Sequence, residues 1–132
     1  MPTDQEYQEL LEFRVALRRF NDWSRAQAEA VGLTHAQHQL LLAVRGSRTE
    51  GGPTIGEAAD ALGVRHHSAT ELVDRCQALG LLARQRDRED ARRVHLRLTQ
   101  EGLDVLNRLT EVHLGELRGL AAALAPIAPE RA

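Results

Sequence analysis

Residues 54–102 read TIGEAADALGVRHHSATELVDRCQALGLLARQRDREDARRVHLRLTQEG, and the hydrophobic spacing changes period once inside this stretch. Thr54 can cap a short helix, because Glu57 lies three residues on and completes a capping box. Ile55, Ala58, Ala59 and Leu62 form its inner face, and Gly63 breaks it. A further helix begins near His66, with Ala69, Leu72, Val73, Cys76 and Leu79 turned inward, and Gly80 ends it. Beyond Gly80 the period drops to two. Leu81–Arg86 and Val94–Leu98 are short and strand-like, with Val94, Leu96 and Leu98 on one side and His95 and Arg97 on the other. Between them lies the charged run Asp87–Arg93.

Two short helices joined by a tight turn make a helix-turn-helix candidate, which alone is a common pattern. The arginine-rich hairpin that follows makes it specific: the combination predicts a winged helix. In that arrangement the second helix presents its first two turns to base edges in the major groove. The hairpin carries arginines to phosphates or into the adjacent minor groove. The exposed positions then acquire roles. Arg65, His66, His67, Ser68 and Thr70 are the expected DNA contacts at the helix start, where the dipole favours phosphate. Arg88 and Arg93 are the expected contacts on the hairpin, and an ordinary solvated helix face is the competing reading for the helix residues.

Working outward, residues 5–31 read as one long helix with Leu10, Phe13, Leu17 and Phe20 at helical spacing. At 1.5 Å per residue it spans about 40 Å, long for so small a domain to cover alone. Thr34 can cap a second helix, HAQHQLLLAVR, in which Leu40, Leu41 and Val44 face inward with Ala36 and Gln37. Arg48–Pro53 is a turn. Thr99 caps a last long helix bearing Leu103, Leu106, Leu109, Leu117, Leu120 and Leu124, and Pro126 and Pro129 finish the chain. The expected fold is mainly α with a small β-hairpin wing. Residues 1–132 form a single domain, with 34–99 as the winged-helix DNA-binding lobe and 1–33 and 100–132 as dimerisation helices.

Composition agrees. The chain has 132 residues, 42% of them hydrophobic but only 3% aromatic, so its core must be Leu, Ala and Val, which suits helices. The net charge is −2, yet it is segregated: residues 84–97 hold six arginines against three acids, and residues 1–31 hold six acids against four arginines. The chain has no lysine; every basic side chain is the one suited to bidentate contacts with phosphate and guanine. No apolar run approaches the ~20 residues of a membrane span, and the acidic start lacks a secretory signal, so a cytoplasmic location is expected. Cys76 is the sole cysteine and reads as a small buried hydrophobe; a redox thiol would need an accessible, electropositive setting.

The same stretch resembles the winged-helix core of the MarR family of bacterial transcriptional regulators. DREDARRVHLRLTQEG is its most specific part: Asp90, one residue, Arg92, then an alternating strand through Leu96 and Leu98 to Thr99 and Gly102. LVDRCQALGLLAR is similar to the family's recognition helix and its exit. The resemblance implies that Arg92 enters the minor groove, that Asp90 orients it, and that Arg75 pairs with that acid. Glu71 stands where relatives often carry a basic residue; it either points outward or accepts from cytosine N4. His66 and His67 are bulkier than the start common in the family.

The expected function is a dimeric, sequence-specific DNA-binding regulator, a repressor responsive to a small molecule or other signal. Its partners would be a pseudo-palindromic duplex with half-sites about one turn apart and a second copy of the chain, with no membrane partner. The competing arrangement packs both terminal helices on their own chain as a monomer. The resemblance places an effector near the junction of the terminal helices and the lobe, where Trp23, His35, His38 and Arg45 are candidates. His35 and His38 share one helix face and could share a metal, but no third ligand has suitable spacing, so no metal and no cofactor are expected. No catalytic arrangement of Ser, His and Asp and no phosphate-cradling loop is present, so an enzyme is not expected. A winged helix used for protein–protein contact, as an antirepressor or scaffold, is the alternative function.

Overall fold

A computed structural model describes residues 1–126; the end of the expected 100–132 arm, with Pro129, lies outside the described residues. The elements run α1 (Asp4–Ala30), α2 (His35–Arg45), α3 (Ile55–Leu62), α4 (His66–Ala78), β1 (Leu82–Arg86), β2 (Val94–Leu98) and α5 (Gln100–Leu124). Among the described residues the result is five helices and a two-stranded antiparallel hairpin, a winged helix-turn-helix with long terminal helices.

The helix starts follow local chemistry. Thr3, Thr34 and Thr54 each accept from the backbone N–H three residues on, and Glu6, Gln37 and Glu57 reach back to complete capping boxes. Each such cap stabilises its helix by about 1 kcal/mol. Thr99 caps α5 in the same way, accepting from Gly102 N–H at 3.1 Å. Gly63, with φ of 66°, turns the chain between α3 and α4 in the left-handed region, where a side chain is disfavoured.

The core gathers under the lobe. Leu40 and Leu41 of α2, Val73 and Cys76 of α4, Leu82 and Leu96 of the hairpin, and Leu106 and Leu109 of α5 are buried together. Burial of each such leucine contributes roughly 1.5–3 kcal/mol. Two expected core positions differ. Ala36 is exposed, and Leu79, the C-cap of α4, is 51% exposed, because the turn into Gly80 carries it off the packed face.

The hairpin pairs Leu82 with Leu98 and Arg86 with Val94. It is fixed to the body at two places. Leu96 N–H donates to the Pro53 carbonyl at 2.7 Å, and Thr99 N–H donates to the Leu81 carbonyl at 3.1 Å. At the second place α5 approaches so closely that a Cβ on Gly102 would lie 2.0 Å from the Leu81 carbonyl oxygen. The wing is therefore held between the turn before α3 and the start of α5.

The terminal helices pack against each other near the lobe. Ser24 of α1 meets His113 of α5 at 2.7 Å, and the Trp23 and His113 rings pack at a tilt of 58° with centroids 4.7 Å apart. Farther along, apolar side chains stay exposed: Leu10, Leu11 and Leu17 on α1, and Val112, Leu114, Leu117 and Leu124 on α5. Among the described residues no helix is long and apolar enough to cross a membrane.

Candidate nucleic-acid interface

Helix α4 starts differently from the other four helices. Its N-cap, Arg65, is extended and makes no side-chain cap. The N–H groups of the first turn thus have no side-chain acceptor and remain open to an external one, a natural seat for phosphate. Arg65, His66, His67 and Ser68 are all exposed around this end. Thr70 is half-buried, and its hydroxyl donates back to the His66 carbonyl at 3.0 Å, which leaves the oxygen as an acceptor only. Glu71 is exposed and meets His67 at 3.3 Å, one helical turn away. Both partners are well solvated, so this contact orients side chains more than it stabilises the helix. Arg75 is exposed near the C-terminal end of α4.

The wing tip is built by carboxylates. Asp87 Oδ1 accepts from the backbone N–H of Glu89 at 2.8 Å and of Asp90 at 3.1 Å. Asp90 Oδ1 in turn accepts from Arg92 N–H at 3.0 Å and from Arg92 Nε at 3.2 Å. The Arg92 guanidinium is thereby aimed while its side chain stays 92% exposed. The expected Asp90–Arg92 pair is present. The expected Arg75–Asp90 pair is not: among the described residues Asp90 pairs with Arg92, its own neighbour in the turn. Arg88 is exposed beside the tip. Arg93 turns back toward α3, 3.8 Å from Glu57.

Glu57 thus does more than close a capping box. It also accepts from the Thr49 hydroxyl at 2.6 Å. That bond first, then the Thr54 backbone N–H, hold its carboxyl below the ordinary range. Two further ties were not legible in the sequence. Arg84 of β1 donates to Asp74 at 2.7 Å and to Gln77, lashing the hairpin to α4. His95 of β2, expected on the outer side of its strand, is buried. Its Nδ1 lies 2.7 Å from the Gly52 carbonyl oxygen and its Nε2 lies 2.7 Å from Asp87 Oδ2. The His95 bond pulls the Asp87 carboxyl down to about 2, and the Asp87 bond raises the His95 pKa. The ladder keeps its register, and His95 is buried on its own side because these two acceptors replace the water its ring would meet.

A cavity of about 320 Å³ lies between α1, α2 and α5. Phe20, Ser24, His35, His38, His113 and Leu117 line it. Burial first, then the neighbouring His113, pushes the His38 pKa down to about 4, and burial also lowers that of His35. His38 is therefore a neutral imidazole at neutral pH. His113 Nδ1 donates to the Leu109 carbonyl at 2.6 Å, and its Nε2 lies 2.7 Å from the Ser24 hydroxyl. Of the four sequence candidates, His35 and His38 line the cavity. Trp23 stands behind His113, and Arg45 is exposed at the end of α2, away from it. Sequence reading missed His113, although a His seven residues after Leu106 and four after Leu109 interrupts an apolar stripe. Among the described residues no group of three His, Cys, Asp or Glu could hold a metal ion.

Together the lobe, the open start of α4 and the arginine-tipped hairpin define a winged helix-turn-helix protein of the kind that carries a recognition helix and a wing. Residues 31–93 match the sequence model of the MarR family. Most of the chain superposes on solved MarR-family structures. AbsC, a MarR-family transcriptional regulator from Streptomyces coelicolor, aligns at a TM-score of 0.73 and 19% identity over 94% of this chain and 83% of that one. MepR of Staphylococcus aureus, solved with DNA, aligns at 0.67 and 19% over 98% of this chain and 88% of that one. BpsR of Bordetella bronchiseptica, whose DNA binding is regulated by 6-hydroxynicotinic acid, aligns at 0.64 and 23% over 87% of this chain and 83% of that one. No curated protein sequence matches. Residues 31–93 are thus similar to the MarR family, and the chain shares the fold of that family's solved members.

Proposed function

We propose that two copies of this chain bind a pseudo-palindromic duplex and regulate transcription, with α4 in the major groove and Arg92 in the minor groove. The observation that carries the reading is the pairing, on one lobe, of an uncapped recognition-helix start with a wing arginine held by Asp90. Arg65, His66, His67, Ser68 and Thr70 would contact bases and phosphates there. Arg75, Arg88 and Arg93 would add phosphate contacts, in Arg93's case by leaving Glu57. A dimer seated across two half-sites covers the DNA between them, so repression by occlusion is its direct consequence. MepR, which shares the fold, has been solved on DNA, and that supports the reading.

The exposed leucines of α1 and α5 supply the dimer face in this reading. The cavity lined by His35, His38 and His113 is the proposed effector site, because it joins both terminal helices to α2 of the lobe. A ligand there would change the angle between dimer arms and reading heads. Selection of bound sequences from random duplex DNA tests the proposal. The expected result is an enriched palindrome, with affinity falling steeply as salt rises. Failure to enrich any site, with no salt-dependent binding, would favour the protein-contact alternative.

A further inference from the structure

We infer that His95 is a positioning residue for DNA binding: its ring, protonated at both nitrogens, ties the turn that carries Arg92 to the body of the lobe, so that loss of one ring proton weakens the hold on DNA. The inference rests on the DNA-binding reading above and adds to it a pH-dependent element outside the expected contact residues.

The argument starts from hydrogen-bond inventory. One ring nitrogen of His95 faces a backbone carbonyl and the other a carboxylate oxygen, each at 2.7 Å. A carbonyl only accepts, and an ionised carboxylate only accepts. A neutral imidazole carries one N–H and would leave one buried contact as two lone pairs facing each other. The imidazolium donates to both, and charge-assisted bonds of this kind are the strong ones. The Asp87 carboxyl, held at about 2, is ionised throughout the useful pH range and cannot supply the missing proton.

The backbone is shaped to present the carbonyl. Gly52 has φ of +100°, and a Cβ there would lie 2.2 Å from the Leu96 carbonyl oxygen. Only glycine admits both that dihedral and that approach. Gly51 leaves room against the ring itself, where a Cβ would sit 3.8 Å from His95. The bonds then run outward without a gap. Gly52 is joined through His95 to Asp87, whose other oxygen holds the backbone of Glu89 and Asp90, and Asp90 holds Arg92.

Other charges bear on the ring. Asp87 favours its protonated form and Arg93 opposes it. The groove that His95 shares also brings Glu50 from the turn and Arg86, Arg88, Glu89 and Arg97 from the hairpin. The sign follows from the raised pKa: the folded ring holds its proton above the pH at which an unfolded one would lose it. The clasp is complete at low pH and is lost as pH rises through the folded-state pKa.

The test compares wild type with His95→Gln, which cannot titrate. Affinity for the selected duplex is measured from about pH 6 to 9 at fixed ionic strength, a window that spans histidine titration. His66 and His67 are present in both proteins and cancel in the comparison. The variant is expected to bind about three- to tenfold more weakly at the acid end, the loss of one or two charge-assisted bonds, and to converge with wild type at the alkaline end. Parallel pH profiles would overturn the inference. Circular dichroism checks the variant's fold, and Asp87→Asn serves as a second variant that should lower the His95 pKa. Independently of DNA, the ring nitrogen shifts of His95 in the free wild-type protein should report both nitrogens protonated at pH 6, with amide exchange of residues 89–92 quickening as that state titrates away. A neutral tautomer at pH 6 would also overturn it. If wild type binds no duplex, the functional reading fails, and the nitrogen shifts still decide the clasp.

Discussion

Arg92 shows how a single exposed side chain can be prepared for binding. A free arginine on a loop tip loses rotamer freedom when it binds. Here Asp90 accepts from both its backbone N–H and its Nε, so part of that cost is met in the free protein. Arg92→Ala is expected to weaken binding to the selected duplex by more than about tenfold, near 1.4 kcal/mol, in a mobility-shift titration at fixed salt. Near-normal affinity would remove Arg92 from the interface. Cys76 shows the opposite case. It is fully buried, and burial pushes its thiol up to about 11. A thiol so placed is a poor nucleophile. Native protein should therefore react with a disulfide reagent far more slowly than denatured protein, and mild oxidant should leave DNA affinity unchanged; rapid labelling of the folded chain would contradict this. Glu71 was the residue least at ease in the sequence. Its contact with His67 gives it a solvent-side partner.

At the scale of elements, the helices were legible because their signals are local. Thr54 with Glu57, Thr34 with Gln37 and Gly63 each act within a few residues, and the structure has its elements where those residues put them. The hairpin was legible as two short alternating runs, but its anchoring was not. The Leu96–Pro53 bond and the Arg84–Asp74 pair link residues distant in sequence, and no periodicity encodes them. The junction of the hairpin with α5 depends on Gly102 for a reason of space. Gly102→Ala would drive a methyl into the Leu81 carbonyl. We expect a loss of about 2 kcal/mol or more in urea unfolding, of the order seen when overpacking forces a backbone shift. An unchanged midpoint would mean that α5 can slide without cost.

At the scale of the whole molecule, the terminal helices settle partly on their own chain and leave the rest of their apolar faces open. Near the lobe they are joined by Ser24, Trp23 and His113, and beyond it Leu114 is 59% exposed and Leu11 64%. Several large apolar side chains left open along two adjoining helices are the kind of surface that an interaction covers. Leu114→Glu paired with Leu11→Glu should shift the chain from dimer to monomer in sedimentation at micromolar concentration, and weaken binding to a full palindrome more than to a half-site. A wild-type chain that sediments as a monomer at that concentration would return the terminal helices to the competing, self-packed arrangement.

The sequence by itself determined the order and type of the elements, the helix caps and most of the apolar faces, while the Asp90–Arg92 pair was implied by the family resemblance. All of these are set by residues within one or two turns of each other, where spacing and side-chain chemistry suffice. Tertiary structure alone decided that Arg75 and Asp90 stay apart, that Arg93 leans on Glu57, and that His113 closes a cavity with His35 and His38. It alone also decided that His95 is covered on its own side of the strand. Strand alternation sends that side chain to solvent, but a carbonyl from one distant turn and a carboxylate from another meet it in the folded lobe. The difference is physical: a period reports which face of an element is apolar, whereas a buried polar contact depends on which acceptors the rest of the chain brings to that face.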